Sequence, residues 1–237
     1  MKDKTVKFIT ITIALMLALA YVIKLSGPAI LRLYIETGIG NCQKIPILCM
    51  QPTEKINKTE VNKQYVSGFI TQDFLKVSIS VPRGFAVVNE LVKRPYYKKW
   101  GRKTVMPVIH IIYEEPNFFT KLYPQVKRFG IKDNYDFIKH TMFASEKDMK
   151  NIPDAFFVIM KSIFIPDLGD QTKAKMEKFE VADKKGFINY NITGKGNYFN
   201  CNAFDSKGAL FAIYIKDADA TLDMDKVLAI VSTAKAR

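Results

Sequence analysis

The stretch from residue 178 to residue 216, KFEVADKKGFINYNITGKGNYFNCNAFDSKGALFAIYIK, decides the fold because it consists of four strand-like segments in a row. These segments cover residues 178–182, 186–193, 198–204 and 209–216, and residues typical of turns separate them. Short turns rich in Gly, Asp, Asn and Lys join neighbouring antiparallel strands. The pattern therefore predicts an antiparallel meander.

A C-terminal helix is predicted directly after the meander. Thr221 opens it, Asp223 and Asp225 fall in its first turn, and Lys235 falls in its last turn. This order of charges complements the helix dipole. The apolar stripe of the helix consists of Met224, Val227, Leu228 and Val231.

Three further strands are predicted upstream of the meander. Residues 75–81 alternate between apolar and polar positions, and Pro82-Arg83-Gly84 then ends the strand. The other two cover residues 85–91 and 105–113. The near-continuous apolar character of residues 105–113 indicates burial on both faces.

Two helical segments are predicted between these strands and the meander. Residues 134–144 carry apolar side chains at helical spacing after an Asn start, and residues 154–165 are strongly apolar. At about 12 residues the second segment is too short to span a membrane, so we expect a buried helix or strand. Together these elements predict an α+β domain over residues 65–237, in which helices, including a C-terminal helix, pack on an antiparallel sheet.

A family resemblance rests on the two ends of this domain. The opening LKVSISVPRGFAVV and the closing FNCNAFDSKGALFAIYIKD, followed by the C-terminal helix, resemble the PsbP-like α/β/α sandwich group. The similarity covers residues 74–234. It implies an accessory or binding module without catalytic activity, often outside the cytoplasm. No functional residue of that group carries over to this chain.

The N-terminal 25 residues are predicted to anchor the chain in a membrane. Residues 8–23 are uncharged, Lys7 and Lys24 bracket them, and residues 6–25 would span about 30 Å as a helix. A cleaved signal peptide is the alternative, because a basic start and the triplet Ala18-Leu19-Ala20 fit that pattern too. The apolar run continues past Ala20, which favours an uncleaved signal-anchor. Lysines crowd the N-terminal side, so we expect that side in the cytoplasm and the domain in the periplasm or at the cell exterior.

Residues 26–64 are predicted to be a juxtamembrane segment and linker. Cys42 and Cys49 lie seven positions apart and would form a small-loop disulfide in an oxidising compartment, and two buried free thiols are the alternative. The spacing does not suit zinc. Residues 51–63 are polar, which indicates a linker.

The sequence shows no motif of a known catalytic site, and we predict no cofactor and no metal. The four aspartates between Asp217 and Asp225 lack the Gly and Glu of a calcium loop, so we expect them to stabilise a loop and a helix start. An alternative is an envelope enzyme whose site is assembled from scattered residues such as His110 and Asp154. Against it, His110 lies in an apolar strand, where a core role is commoner.

One segment concentrates the positive charge of the chain, which has 36 Lys+Arg against 23 Asp+Glu. We call residues 93–103, KRPYYKKWGRK, the basic aromatic loop; it has no acidic residue. Its cations and rings would suit anionic lipid headgroups or an acidic protein partner. Nucleic acid is disfavoured by the expected location, and a solvated loop is the remaining alternative. The candidate binding residues are Lys93, Arg94, Tyr96, Tyr97, Lys98, Lys99, Trp100, Arg102 and Lys103.

From sequence alone we therefore expect a single-pass, membrane-anchored extracytoplasmic module that binds or assembles with a partner and has no catalytic activity.

Overall fold

The computed structural model of the protein describes residues 15–22, 24, 26–27, 29–31, 33–34, 37, 46–53, 56–74, 76–88, 96–99, 102–105, 107–146, 149, 151–166, 168–194 and 196–237. Residues 15–22 are helical, and the rest of the predicted anchor lies almost entirely outside the described residues. Within the described part of the chain, no helix combines the length and the apolar character that crossing a membrane requires.

Besides the helical residues 15–22, the described part of the chain forms twelve strands and five α-helices. In chain order the strands are β1 (Ile56–Thr59), β2 (Ile70–Asp73), β3 (Val77–Val81), β4 (Ala86–Val88), β5 (Tyr96–Lys99), β6 (Arg102–Val105), β7 (Val108–Glu114), β8 (Lys175–Val181), β9 (Lys184–Ile192), β10 (Asn197–Phe204), β11 (Leu210–Asp217) and β12 (Lys235–Ala236). The helices are α1 (Lys63–Val66), α2 (Phe118–Leu122), α3 (Asn134–Phe143), α4 (Ile152–Phe164) and α5 (Met224–Ser232). The α+β class and the C-terminal helix are confirmed.

A seven-stranded sheet in the order β1-β8-β9-β10-β11-β7-β4 forms the centre of the fold. Strands β8 to β11 form the predicted meander, and β7 pairs antiparallel with β11. The prediction of an antiparallel sheet fails at the two edges, where β1 pairs parallel with β8 and β4 pairs parallel with β7. The sheet is therefore mixed.

Strand β1 corrects the prediction that residues 51–63 are a linker. This strand pairs with β8 along Ile56–Thr59, and just before it the Thr53 amide donates to the Met176 carbonyl. Its sequence INKT lacks a strong apolar signal, because an edge strand with one partner is held by backbone hydrogen bonds and buries little side-chain surface. The sheet thus begins upstream of Tyr65, where the domain was expected to start.

The predicted strand over residues 75–81 corresponds to β3, whose side chains alternate between buried and half-buried positions. It belongs to a second, three-stranded sheet with the order β12-β3-β2. Val77, Ile79 and Val81 point into the core that α5 shares with the large sheet. The small sheet and α5 together therefore cover one face of the large sheet.

Helices α2, α3 and α4 cover the other face. Asp133 caps α3 by accepting a hydrogen bond from the Asp136 amide at 2.8 Å, and Asn151 and Asp154 form a capping box at the start of α4. Both helices were predicted, and α4 resolves the choice between helix and strand for residues 154–165. Their core includes Phe137, Phe157 and Phe187. The large sheet is thus buried between two layers.

Candidate functional site

Strands β5 and β6 form a two-stranded hairpin that overlaps the basic aromatic loop, and among the described residues this hairpin pairs with neither of the other sheets. Its register sets Lys98 opposite Lys103 and Lys99 opposite Arg102. Of the candidate binding residues, Lys93, Arg94 and Trp100 lie outside the described residues. Two cross-strand positions with like charges disfavour pairing. An isolated hairpin of two strands is marginally stable in water.

A row of polar residues crosses the helix-covered face of the large sheet. The register pairs Asn189 of β9 with Asn200 of β10, Asn200 with Tyr214 of β11, and Tyr214 with His110 of β7. The rings of His110 and Tyr214 lie 5.9 Å apart between centroids. Asn202 stands two residues further along β10, on the same face. The sheet therefore brings together residues that are up to about ninety positions apart in the chain.

A cavity of about 420 Å³, which we call the sheet cavity, opens above this row. Its floor is formed by β7, β10 and β11, and Phe119 of α2 and Ile163 and Phe164 of α4 form its walls. The polar side chains that line it are His110, Glu114, Asn200, Asn202 and Tyr214. Its volume falls in the range of small-molecule sites, about 300–1,000 Å³. Its lining, with apolar walls and a few polar groups, is also typical of such sites.

Most buried asparagines in the described part of the chain have a structural role. Asn134 donates to the carbonyls of Glu115 and Gly208, and Asn191 donates to those of Leu168 and Asp170. Asn197 donates to Leu222 and Asn200 donates to Phe164, at 3.0 and 2.8 Å respectively. These bonds satisfy loop carbonyls and helix-end carbonyls that would otherwise be buried without a donor.

Asn202 differs from those four asparagines. Its side chain is 1% exposed, and its Nδ2 group has no hydrogen-bond partner in the described structure. A buried donor that is left unsatisfied costs about 1–3 kcal/mol. Asn202 is therefore a polar group in a cavity wall whose hydrogen-bonding capacity the protein itself leaves unused.

Glu114 is the acidic residue among the described lining of the sheet cavity. Partial burial raises the pKa of its carboxyl group, and the nearby Lys76 opposes that shift. Lys76 itself pairs with Glu115 at 3.1 Å outside the cavity. Glu114 therefore brings a partly buried carboxyl group to the cavity, and Lys76, which acts on it, is not among the residues that line the cavity.

The two residues named for the enzymatic alternative do not meet. His110 lines the sheet cavity, whereas Asp154 caps α4 and lines a separate cavity of about 300 Å³ between α3 and α4. The exposed residue His140 lines that second cavity too. The structure therefore does not assemble the proposed pair.

The aspartates that precede α5 serve as hydrogen-bond acceptors for the backbone and a hydroxyl. Buried Asp217 accepts from the Leu222 amide at 2.7 Å and from the Thr221 hydroxyl at 3.3 Å, and Asp223 caps α5 through the Lys226 amide. This is the role expected from the sequence.

The cysteines divide into two kinds. Cys49, at the end of a short 3₁₀ helix (Pro46–Cys49), is disulfide-bonded. Cys201 in β10 is free and fully buried, and burial raises the pKa of its thiol. Cys42 lies outside the described residues, so its pairing with Cys49 stays a prediction.

Comparison with known proteins assigns no family. No family model matches the chain, and no curated protein is significantly similar to it.

The sequence analysis missed the sheet cavity and the role of Asn200 and Asn202. A signal was present, because Asn-x-Asn occurs in two successive strands, at Asn189 and Asn191 and again at Asn200 and Asn202. Asn is depleted in strands, so a repeat of this kind in a buried meander indicates a specific demand for amides.

Proposed function

We propose that this protein is a membrane-anchored, extracytoplasmic binding module that acts without catalysis, and that its basic aromatic loop contacts anionic lipid headgroups. The observation that carries the proposal is the register of the β5–β6 hairpin, which sets cations opposite cations in a hairpin that pairs with no other strand of the described structure. Such an arrangement gains stability when an anionic surface neutralises it.

The exposed apolar helix at the N-terminus supports membrane anchoring. Leu15, Met16, Leu17 and Leu19 are helical and each is at least 59% exposed. These positions are spread over more than half of the helix circumference, and their apolar surface has no partner within the described fold. A hydrocarbon environment would bury it.

A contact at Leu31 supports a short distance between the domain and the bilayer. Leu31 packs against Met149, Ala155 and Val158 beside α4. It lies six residues beyond the predicted span, which corresponds to about 9 Å in a helix. A basic loop on a domain held this close would lie within reach of the negative surface potential of the membrane. Each Lys or Arg near the surface is attracted to it by about 1 kcal/mol.

Trp100 provides the test, since it is the single Trp of the chain and stands at the centre of the basic aromatic loop. The full chain is reconstituted into liposomes of phosphatidylcholine alone or of phosphatidylcholine and phosphatidylglycerol at a ratio of about 7:3, with brominated acyl chains as quenchers. We expect Trp100 emission to be quenched in the anionic liposomes and to recover as salt rises, because salt screens exposed charges.

Two charge-matched variants provide the control. In the first, Lys98, Lys99, Arg102 and Lys103 are replaced by Gln, and quenching should disappear. In the second, four exposed lysines outside the loop, Lys63, Lys175, Lys207 and Lys235, are replaced by Gln, and quenching should persist. Equal quenching in both liposomes, or none in either, would refute contact that depends on anionic headgroups. A salt-sensitive partner that co-purifies with the full chain would then favour an acidic protein instead.

The anchor is tested separately by alkaline carbonate extraction of membranes. We expect the chain to stay in the membrane fraction and the domain to be digested by protease added to spheroplasts. Release by carbonate, or a mature N-terminus at Tyr21, would contradict the anchor and favour a cleaved signal peptide.

A further inference from the structure

We propose that the sheet cavity binds a small, uncharged, mostly apolar molecule that accepts a hydrogen bond from Asn202 through a carbonyl or hydroxyl oxygen. This inference goes beyond the lipid contact of the basic aromatic loop and rests on different residues.

The depth of the cavity argues for a ligand that enters with one end buried. Asn202, Phe119 and Leu210 at its inner side are 1%, 4% and 1% exposed, whereas Ile163 of α4 at its rim is 67% exposed. A molecule that passes Ile163 would lose water from most of its surface. The walls it meets are largely apolar, so its body must be apolar too.

The unused donor of Asn202 defines the polar end of the ligand. Asn200, two residues earlier on the same strand face, uses its Nδ2 group on the Phe164 carbonyl at 2.8 Å. The Nδ2 group of Asn202 has no such partner in the described structure, although it is at least as deeply buried. A ligand oxygen beside it would satisfy that donor and recover the cost of its burial.

The charges around the cavity exclude an anionic ligand. The titratable groups that line it are His110, Glu114 and Tyr214, and no Lys or Arg belongs to its described lining. A carboxylate or phosphate would lose its hydration beside Glu114 without gaining a cation. A neutral oxygen acceptor satisfies Asn202 without this penalty.

Photoaffinity labelling of the full chain in liposomes tests the proposal. The probe is a decan-2-one derivative with a diazirine on its alkyl chain, and the labelled peptides are identified by mass spectrometry. We expect label in the segments that line the cavity, on α4, β10 and β11. Excess decan-2-one should compete with the label, and decanoate at the same mole fraction should not.

Three variants separate binding in the cavity from adsorption. Asn202→Leu should weaken competition by decan-2-one about tenfold, the value of one neutral hydrogen bond, and should leave competition by decane unchanged. Ile163→Trp narrows the exposed rim without touching the core and should reduce labelling. Gln at Lys98, Lys99, Arg102 and Lys103 should leave labelling unchanged, which distinguishes this site from the basic aromatic loop.

Absence of label from the lining segments would overturn the proposal, and so would competition by decan-2-one that is equal in the native chain and Asn202→Leu. Labelling that decanoate suppresses as well as the ketone does would overturn the assignment of an uncharged ligand. The Ile163→Trp variant keeps these outcomes interpretable if Asn202→Leu fails to fold.

Discussion

Replacement of Asn202 by Leu should stabilise the protein, although it removes a polar residue that is almost completely buried. The two side chains have the same number of non-hydrogen atoms and branch at the same carbon, and Asn202 lines the sheet cavity, where the bulkier methyl groups of Leu meet open space. The Nδ2 group of Asn202 has no hydrogen-bond partner in the described structure. The substitution therefore removes a desolvated donor without breaking a bond.

The size of the effect follows from the cost of that donor. An unsatisfied buried polar group costs about 1–3 kcal/mol, and apolar replacement also buries hydrocarbon surface. We expect the free energy of unfolding to rise by about 1–2 kcal/mol. For a domain of this size, each kcal/mol corresponds to a rise of about 2–4 °C in Tm.

Asn200→Leu is the matched control, because it changes the same residue type on the same strand face. Asn200 donates to the Phe164 carbonyl near the end of α4, so its loss leaves a helix-end acceptor unsatisfied. The Tm of Asn200→Leu should therefore fall, and its free energy of unfolding should decrease by about 1–3 kcal/mol. Thermal unfolding of the three full-length chains, followed by circular dichroism under identical conditions, gives the comparison.

A fall of Tm in Asn202→Leu that matches the fall in Asn200→Leu would refute the reasoning. It would show that the Asn202 amide is already satisfied within the folded chain, and the case for a ligand oxygen at that position would fail with it.

Three other predictions concern backbone packing, a buried charge and the thiols. Gly186→Ala should destabilise the fold by about 3 kcal/mol or more, because a Cβ at position 186 would overlap with the Asn202 carbonyl. Gly68→Ala should be nearly neutral in the same thermal unfolding experiment, because a Cβ at position 68 would contact no other atom of the described structure. Burial lowers the pKa of Lys161 from 10.5 to about 7. Between pH 7 and pH 10.5 the Lys161 side chain is therefore protonated in the unfolded chain and largely deprotonated in the folded chain. The free energy of unfolding should then rise by up to about 5 kcal/mol as the pH rises from about 7 to 10.5. If the free energies of unfolding of the native chain and of Lys161→Met differ by the same amount at every pH in this window, the prediction is wrong. Thiol counting on the unfolded chain without reductant should find one reactive thiol per chain, that of Cys201. Three reactive thiols would exclude a disulfide at Cys49.

The predicted part of the fold is the part that local sequence determines. Strands β8 to β11 are adjacent in the chain, alternate in polarity and are joined by short turns, so their order follows from their succession. The apolar stripe of α5 was likewise visible, because it repeats at helical spacing. The helix nevertheless begins later than the predicted opening at Thr221, since Asp223 is its cap and Met224 its first residue.

The unpredicted part depends on partners that are distant in the chain. Strand β1 pairs with β8 about 120 positions later, and nothing in the sequence INKT specifies that neighbour. In the same way β4 is short and pairs parallel with β7 across the intervening hairpin. Parallel edge pairs of this kind need crossover connections, whose end points a local pattern does not fix.

The asparagines of β9 and β10 link the architecture to the candidate site. Asn191 holds the carbonyls of Leu168 and Asp170, and Asn200 holds that of Phe164, so side chains from the sheet fix both ends of the segment that follows α4. Because amides hold this segment above the sheet, apolar packing does not close the space over β10 and β11. The sheet cavity is therefore a consequence of the bonds that Asn191 and Asn200 make, and Asn202 faces the space that they create.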